Sequence, residues 1–125
     1  MFLALSTVYN LPPGLNSAVC WVESSHRVNV VHRDDGGHNS VGICQIQLPT
    51  ARFLGFKGSE ADLYQTDTNL RLSSAYLRYQ LLRYRGDVGK AISAYNMGHY
   101  KLNAQGIVAN KSYVDKVMKA RKERR

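Results

Sequence analysis

The sequence lacks several features that would place it outside the ordinary globular proteins. It has no internal repeat and no low-complexity stretch, and no apolar run approaches the ~20 residues that a membrane-spanning helix requires. Proline occurs only three times, and ten glycines with 44% apolar residues are typical of a folded domain. These absences exclude a fibrous, disordered or membrane-spanning chain. The length of 125 residues predicts a single domain, 1–125, with one hydrophobic core.

Acidic residues are few, since nine Asp and Glu stand against 17 Lys and Arg, for a net charge of +8. A positive surface field concentrates negative ligands, so the composition predicts a polyanionic partner. Nucleic acid, an acidic membrane surface and the bacterial cell wall all meet that description. Each basic cluster reads equally well as a solvated helix face. The C-terminal cluster, which includes a basic tail at 119–125, consists of Lys116, Lys119, Arg121, Lys122, Arg124 and Arg125. The second cluster consists of Arg71, Arg78, Arg83 and Arg85.

The N-terminal segment 1–11 is predicted to form a short helix that packs on the body of the domain. Its apolar run is preceded by no basic residue and is shorter than the core of a secretory signal. We therefore expect another factor to carry the protein to any target outside the cytoplasm.

Cysteine is also scarce, with Cys20 and Cys44 as the two residues. They could form one disulfide, or each could be a small buried hydrophobe, and the sequence leaves both readings open. No base lies in register with either thiol, which argues against a nucleophilic role.

A helix that starts after Pro12-Pro13-Gly14 carries the first candidate functional residue. Leu15, Ala18, Val19 and Val22 follow the i, i+3, i+4, i+7 pattern of a buried helix face, and Glu23 lies at the end of that helix. The helix dipole and the apolar neighbours both disfavour a charged carboxylate there. A carboxylic acid that keeps its proton can protonate a poor leaving group such as a glycosidic oxygen. The competing interpretation is a solvated helix-end residue.

The remaining pattern predicts six or seven helices and almost no strand. Turn-forming residues from Arg27 to Ser40 indicate a loop or a small irregular β-hairpin, and a compact apolar segment follows, in which Gly42 allows close backbone approach. Further helices are predicted at 49–55, as one turn at 59–63, from an N-cap at Asp67 to Arg85, from Val88 to about 96–98, and from a cap at Ser112.

Five short motifs occur in one order along this chain. They are Glu23-Ser24, Gly42 to Ile46 followed by Pro49-Thr50-Ala51, Asp67 to Leu70 leading into Ala75-Tyr76-Leu77, Ala94 to Gly98, and Tyr113 to Val117. Together they resemble the lytic transglycosylase family with the SLT domain, in the lysozyme-like superfamily. The resemblance covers about residues 12–118 and implies a mainly α, lysozyme-like single domain.

The resemblance implies an enzyme that cleaves the β-1,4 bond between N-acetylmuramic acid and N-acetylglucosamine in peptidoglycan without water. Glu23 is then the sole catalytic carboxyl. It protonates the glycosidic oxygen and later takes the proton of the muramyl C6 hydroxyl, which attacks C1 and leaves a 1,6-anhydro end. The substrate's N-acetyl group assists departure, an exception to the two-carboxylate scheme. No cofactor and no metal are expected.

By the same resemblance, Ser24, Gln45, Gln47, Tyr95 and Asn96 are candidate substrate-binding residues. The Gln45 amide can donate to and accept from an acetamido group, and the motif favours this role over hydrogen bonds to backbone groups. Tyr95 ends an inward helix face, and the family pattern sets its hydroxyl against the catalytic acid. Gln47 stands where many relatives have methionine and is expected to line the groove. For Asn96 the structural role is favoured over a contact to the sugar, and Gly98 is interpreted as a helix stop.

The segment from His32 to Ser40 departs from the family pattern because it is longer and contains Asp34 and Asp35. Either carboxylate could activate a water and make the protein a hydrolytic muramidase, or both could simply form the turn. His32, Asp34, Asp35 and His38 match no metal-ligand spacing.

The expected partner is the peptidoglycan glycan strand, in the periplasm or outside the cell. The protein is expected to be a monomer and not to insert stably into a membrane. A phage-encoded or virion-delivered protein fits this combination, as does a bacterial one. Two other classes compete, an inactive wall-binding relative and a nucleic-acid-binding module. The second is disfavoured because the tyrosines among the arginines at 76–85 spread around a helix rather than along one face.

Overall fold

The computed structural model describes residues 1–124, apart from the side chain of Asp35. Arg125 of the basic tail therefore lies outside the described residues. The helices are α1 (Phe2–Val8), α2 (Leu15–Ser24), α3 (Leu48–Phe53), a 3-10 helix (Ala61–Tyr64), α4 (Thr66–Arg83), α5 (Val88–Met97) and α6 (Lys111–Lys122). The strands are β1 (Val31–Asp35), β2 (His38–Val41) and β3 (Ile46–Gln47), which form one antiparallel sheet in that order. This arrangement confirms the predicted mainly helical fold with a small hairpin after α2.

The helix α2 forms as its apolar pattern predicts. Leu15, Ala18 and Val19 are fully buried in the main core. Gly14, at φ +78°, turns the chain into the helix, and Ser25, at φ +58°, ends it with its N–H bonded to the Trp21 carbonyl at 2.8 Å. Glu23 is consequently held in the last turn of a helix whose other face is anchored in the core.

The helices α2 and α6 run antiparallel and pack closely. Val117 and Ala120 of α6 belong to the same core as α2. Near the C-terminus, Arg121 Nε donates to the Pro13 carbonyl at 3.1 Å. A Cβ at Gly14 would lie 3.3 Å from the Arg124 main chain, so glycine is the residue that permits this approach. The end of α6 is thereby fastened to the start of α2.

The hairpin and the turn after it are fixed by one buried asparagine. The β1–β2 register slips between His32 and Asp35, which accounts for the irregular hairpin. Asn69 of α4 donates to the carbonyls of Val41 and Leu63 at 2.8 and 2.7 Å and accepts from the Cys44 N–H at 2.9 Å. A Cβ at Gly42 would collide with this amide at 2.6 Å, which confirms the close backbone approach predicted for Gly42.

Several predicted helix boundaries differ from the structure. The N-cap of α4 is Gln65, and Asp67 lies in the first turn. There its negative charge interacts favourably with the helix dipole, and its carboxylate pairs with Arg71. The helix α6 begins at Lys111 with Asn110 as its cap, not at Ser112. Residues 119–122 at the start of the basic tail are helical, because Ala120 is buried and Arg121 is bonded to Pro13.

A disulfide joins Cys20 of α2 to Cys44 of the turn before β3, and both residues are fully buried. The structure thus selects one of the two readings that the sequence left open. Within residues 1–124, no helix is long and apolar enough to cross a membrane.

Candidate active site

A cleft opens between the end of α2, the small sheet and the end of α5. Glu23 lies in its wall together with Gln45, Gln47, Tyr95 and Asn96. The lining is completed by Gly36, Ser40, Ile46, Thr50, Tyr76, Met97 and Gly98. Four of the five predicted substrate-binding residues therefore meet the predicted catalytic residue in one cleft.

The Glu23 carboxyl group is half-buried and is contacted by Tyr113, which lies 90 residues further along the chain. The Tyr113 hydroxyl donates to Glu23 Oε2 at 2.7 Å. Burial of the phenol raises the pKa of Tyr113 well above its usual value, and the charge of Glu23 raises it further. The phenol therefore stays a proton donor to Glu23 at neutral and moderately alkaline pH. Tyr113 belongs to the last of the five sequence motifs, but the sequence offered no local reason to assign it to the site.

Tyr95 is buried beneath the cleft, and its hydroxyl has partners other than Glu23. It donates to the Cys44 carbonyl at 2.8 Å and bonds the Ser73 hydroxyl at 2.9 Å. Burial is the main reason that the pKa of Tyr95 lies well above its usual value, with the nearby Glu23 charge second. We expected this phenol to contact the acid directly; in the structure Tyr113 makes that contact, and Tyr95 ties α5 to the turn before β3.

Ser24 is buried and does not line the cleft, which differs from its expected role in substrate binding. Its hydroxyl donates to the Ile43 carbonyl at 2.6 Å and accepts from the Arg27 N–H at 3.1 Å. Because the α2 helix turns Ser24 away from Glu23, Ser24 fastens the end of α2 that carries Glu23 to the turn before β3.

Gln45 lines the cleft, but both ends of its amide have partners within the protein. Nε2 donates to the carbonyls of Val30 and Gly42 at 3.0 and 2.9 Å, and Oε1 hydrogen-bonds His32 Nδ1. The main chain of Gln45 is left-handed at φ +55°, a conformation that these bonds stabilise. The amide therefore shapes the cleft wall. This is the structural role, which the sequence allowed as the alternative to a contact with an acetamido group.

Gln47 of β3 and Asn96 of α5 both line the cleft. Gln47 Nε2 donates to the Ser40 hydroxyl at 3.2 Å. Asn96 Oδ1 accepts from Asn110 Nδ2 at 3.0 Å, and the same nitrogen donates to the Ser93 carbonyl at 3.1 Å. Because Asn110 is the cap of α6, this network sets where α6 begins and so where Tyr113 points.

Glu23 is the one carboxylate in the cleft lining among the side chains that the structure describes. Asp34 is exposed, has a left-handed main chain at φ +58° and is not part of the lining. The side chain of Asp35, the other candidate, lies outside the described residues. No three metal-binding side chains converge anywhere in the described part of the chain.

A glutamate in the last turn of a buried helix, facing a cleft beside a small antiparallel sheet, defines a lysozyme-like domain. The chain matches the Transglycosylase SLT domain family over residues 1–116. It belongs to that family.

Two further comparisons identify similar proteins. The chain is 36% identical over 91 residues to a 20.7 kDa protein from the vs-regB intergenic region of Enterobacteria phage T4, across 66% of this chain and 49% of that protein. Its fold matches the lytic transglycosylase Slt of Pseudomonas aeruginosa with a TM-score of 0.74 at 19% identity, across 96% of this chain and 22% of Slt. The chain thus spans about half of the phage relative and under a quarter of Slt.

Proposed function

We propose that this domain is a peptidoglycan lytic transglycosylase that cleaves the β-1,4 bond between N-acetylmuramic acid and N-acetylglucosamine and leaves 1,6-anhydromuramic ends. The observation that carries the proposal is the Glu23 carboxyl group, half-buried in a cleft and bonded by the Tyr113 phenol at 2.7 Å. We further propose that it acts as a monomer on glycan strands, without a cofactor.

In the first half-reaction, Glu23 donates its proton to the glycosidic oxygen as the bond to C1 of the muramyl sugar breaks. The acid proton belongs on Oε1, because Oε2 accepts the Tyr113 proton. The N-acetyl oxygen of the same sugar bonds to C1 as the leaving group departs, so the second nucleophile belongs to the substrate.

In the second half-reaction, the Glu23 carboxylate takes the proton of the C6 hydroxyl. The C6 oxygen attacks C1 and expels the acetamido oxygen, which closes the 1,6-anhydro ring and restores the acid. Tyr113 stabilises the carboxylate between the two steps, since a hydrogen bond to a charged group contributes about 1.5–3 kcal/mol.

A hydrolytic muramidase acting on the same bond is the alternative. It would need a group that activates water, usually a second carboxylate. Among the described side chains, Glu23 is the lone acid in the lining, which favours the transglycosylase, and Asp35 next to the lining residue Gly36 is the residue to test.

The relatives support the same choice. The matched Pseudomonas aeruginosa Slt structure is that of an inactive mutant in which a glutamate is replaced by glutamine. The phage T4 relative supports a phage-encoded protein. The SLT family supports action on the cell wall, and the net charge of +8 suits an anionic polymer.

The deciding experiment is mass analysis of the products released from purified peptidoglycan. Anhydro ends are expected, and reducing ends would identify a muramidase instead. Glu23→Gln should lower the release to below a few per cent without unfolding the protein, whereas the exposed control Glu123→Gln should be fully active. Asp34→Asn and Asp35→Asn should also retain activity. Substantial cleavage by Glu23→Gln would contradict the mechanism.

A further inference from the structure

A second surface lies on the pair of helices α2 and α6, apart from the residues that line the cleft. One groove runs between Trp21, near the end of α2, and Lys116, Lys119 and Glu123 of α6. A second depression continues along α6 to Lys111 and shares Lys116 and Lys119 with the first. Neither has a lining residue in common with the cleft. We call this surface the α6 face, defined by Trp21, Lys111, Lys116, Lys119 and Arg124.

The positive charge of the chain is concentrated on α6 and is absent from the cleft lining. Positions 111–124 contain six lysine and arginine residues against two acidic ones, which is half of the net charge of +8. Among the side chains that the structure describes, no lysine or arginine lines the cleft. A polyanion attracted by the field of this protein therefore meets the α6 face rather than the cleft.

Two lysines of the α6 face are not compensated by a nearby acid. Both acidic residues of α6 already take part in ion pairs, which are Lys111–Asp115 at 2.6 Å and Glu123–Arg124 at 3.8 Å. Lys116 and Lys119 are exposed, and neither has an ion-pair partner within residues 1–124. Their ammonium groups are thus available to an anionic partner.

Trp21 adds an exposed aromatic ring to these cations. It is the one tryptophan of the chain and is 42% exposed. The Arg124 guanidinium lies 5.0 Å from its ring centre, and the His26 ring meets it edge-on at 5.4 Å. These contacts hold the indole at the surface. A tryptophan among lysines and arginines is typical of proteins that rest on a lipid bilayer, where the indole enters the headgroup layer and the cations meet the lipid phosphates.

We propose that the α6 face docks this protein on an anionic lipid bilayer, with Lys116 and Lys119 at the lipid phosphates and Trp21 in the headgroup layer. The contact is peripheral, because the apolar side of α6 is buried in the core through Val117 and Ala120. The docking surface is separate from the proposed chemistry, and it would bring the enzyme to a membrane next to its wall substrate.

The surroundings of Trp21 favour a bilayer over a nucleic acid. Nucleic acids that bind by stacking use several aromatic rings along one groove. The α6 face presents a single indole, and the Arg124 guanidinium already lies over that ring. A headgroup layer needs no free ring face, since it surrounds the exposed edge of the indole.

The sole tryptophan makes the test direct, because its fluorescence reports on this face alone. The full chain is titrated at low ionic strength with vesicles of pure phosphatidylglycerol and of pure phosphatidylcholine, and binding is also measured by vesicle sedimentation. We expect the Trp21 emission to shift to shorter wavelength with phosphatidylglycerol and to stay unchanged with phosphatidylcholine. Lys116→Gln combined with Lys119→Gln should weaken binding by roughly 30-fold, about fivefold for each lost cation.

The matched control is Arg78→Gln combined with Arg85→Gln. It removes the same charge from α4, outside the α6 face, and should bind phosphatidylglycerol vesicles within about twofold of the parent. Glu23→Gln should also bind like the parent, because the docking surface does not depend on cleavage.

Equal binding to the two lipids, binding without a shift in the Trp21 emission, or equal losses in the two double variants would overturn the docking surface. Tighter binding to inorganic polyphosphate or to double-stranded DNA than to phosphatidylglycerol vesicles would overturn it as well, and would assign the α6 face to a soluble polyanion.

Discussion

The hydroxyl of Tyr113, at the first turn of α6, donates to Oε2 of Glu23, at the last turn of α2, over 2.7 Å. The two residues are 90 positions apart, and the bond forms because the two helices pack antiparallel. Tyr113 is thus a residue whose loss should affect the reaction without opening the core.

Tyr113→Phe is expected to lower the rate of peptidoglycan cleavage by about 10- to 100-fold. The estimate corresponds to the loss of a hydrogen bond to a charged group, about 1.5–3 kcal/mol. Initial rates on purified peptidoglycan provide the measurement, with thermal unfolding to establish that the fold persists. Tyr9→Phe, at the end of α1, is the matched control. A Tyr113→Phe enzyme with the parent rate would show that this bond plays no part in the reaction.

The free energy of unfolding is expected to fall as the pH rises above about 10, the usual value for tyrosine. Burial raises the pKa of both Tyr95 and Tyr113 in the folded protein, so their neutral forms stabilise the fold fully below that pH, and the contribution is lost as the pH rises toward the folded-state pKa. Denaturant titrations at increasing pH, combined with phenolate absorbance, measure the effect.

Among the eight tyrosines, Tyr95 and Tyr113 should ionise at higher pH than the exposed ones, and only as the chain unfolds. Tyr113→Phe should remove one late phenol from the titration. Complete ionisation of all phenols in a still-folded protein would contradict the burial of these two hydroxyl groups.

Reduction of the disulfide between Cys20 and Cys44 is expected to lower the stability by about 3 kcal/mol, the chain-entropy value for a loop of this size. Activity should fall as well, because Cys20 lies one turn before Glu23 and Cys44 precedes the cleft residue Gln45. Urea unfolding with and without a thiol reductant tests the prediction. The double variant Cys20→Ala with Cys44→Ala serves as control, since reductant should not change its unfolding curve.

The rate of cleavage of whole cell walls is expected to fall at least about threefold when the salt concentration rises from about 0.05 M to about 0.5 M. Salt shortens the range over which cationic and anionic surfaces attract each other. The excess positive charge of +8 is the basis for this expectation. Turbidity of a wall suspension follows the reaction, and an uncharged oligosaccharide substrate should show little change. Equal rates at both salt concentrations would remove the role assigned to the charge.

Local sequence patterns predicted the features of this site that depend on one element. The apolar spacing of Leu15, Ala18 and Val19 predicted α2 and the position of Glu23 at its end, and both are confirmed. The glycine pattern likewise predicted the close approach at Gly42, although it did not identify the partner, Asn69, which is 27 positions away.

Features that depend on how elements meet could not be read from the sequence. The direction of Ser24 depends on the rotation of α2 in the core, and the bonds of Gln45 depend on a hairpin whose register slips before Asp35. The choice of Tyr113 over Tyr95 as the phenol at Glu23 depends on the docking of α6 against α2. Propensity and periodicity describe one element at a time and contain no such information.

The antiparallel pair α2 and α6 makes the geometry at one end depend on the fit at the other. A slide of either helix by a single residue, about 1.5 Å along the axis, would change the distance and the angle of the hydrogen bond from Tyr113 to Glu23. Two contacts at the other end of the helix pair oppose that slide. They are the hydrogen bond from Arg121 to the Pro13 carbonyl and the close approach of the Arg124 main chain to Gly14. The position of Tyr113 relative to the Glu23 carboxyl group therefore depends on contacts outside the cleft. A bulky residue in place of Gly14 would shift α6 and disturb this hydrogen bond without altering the cleft itself.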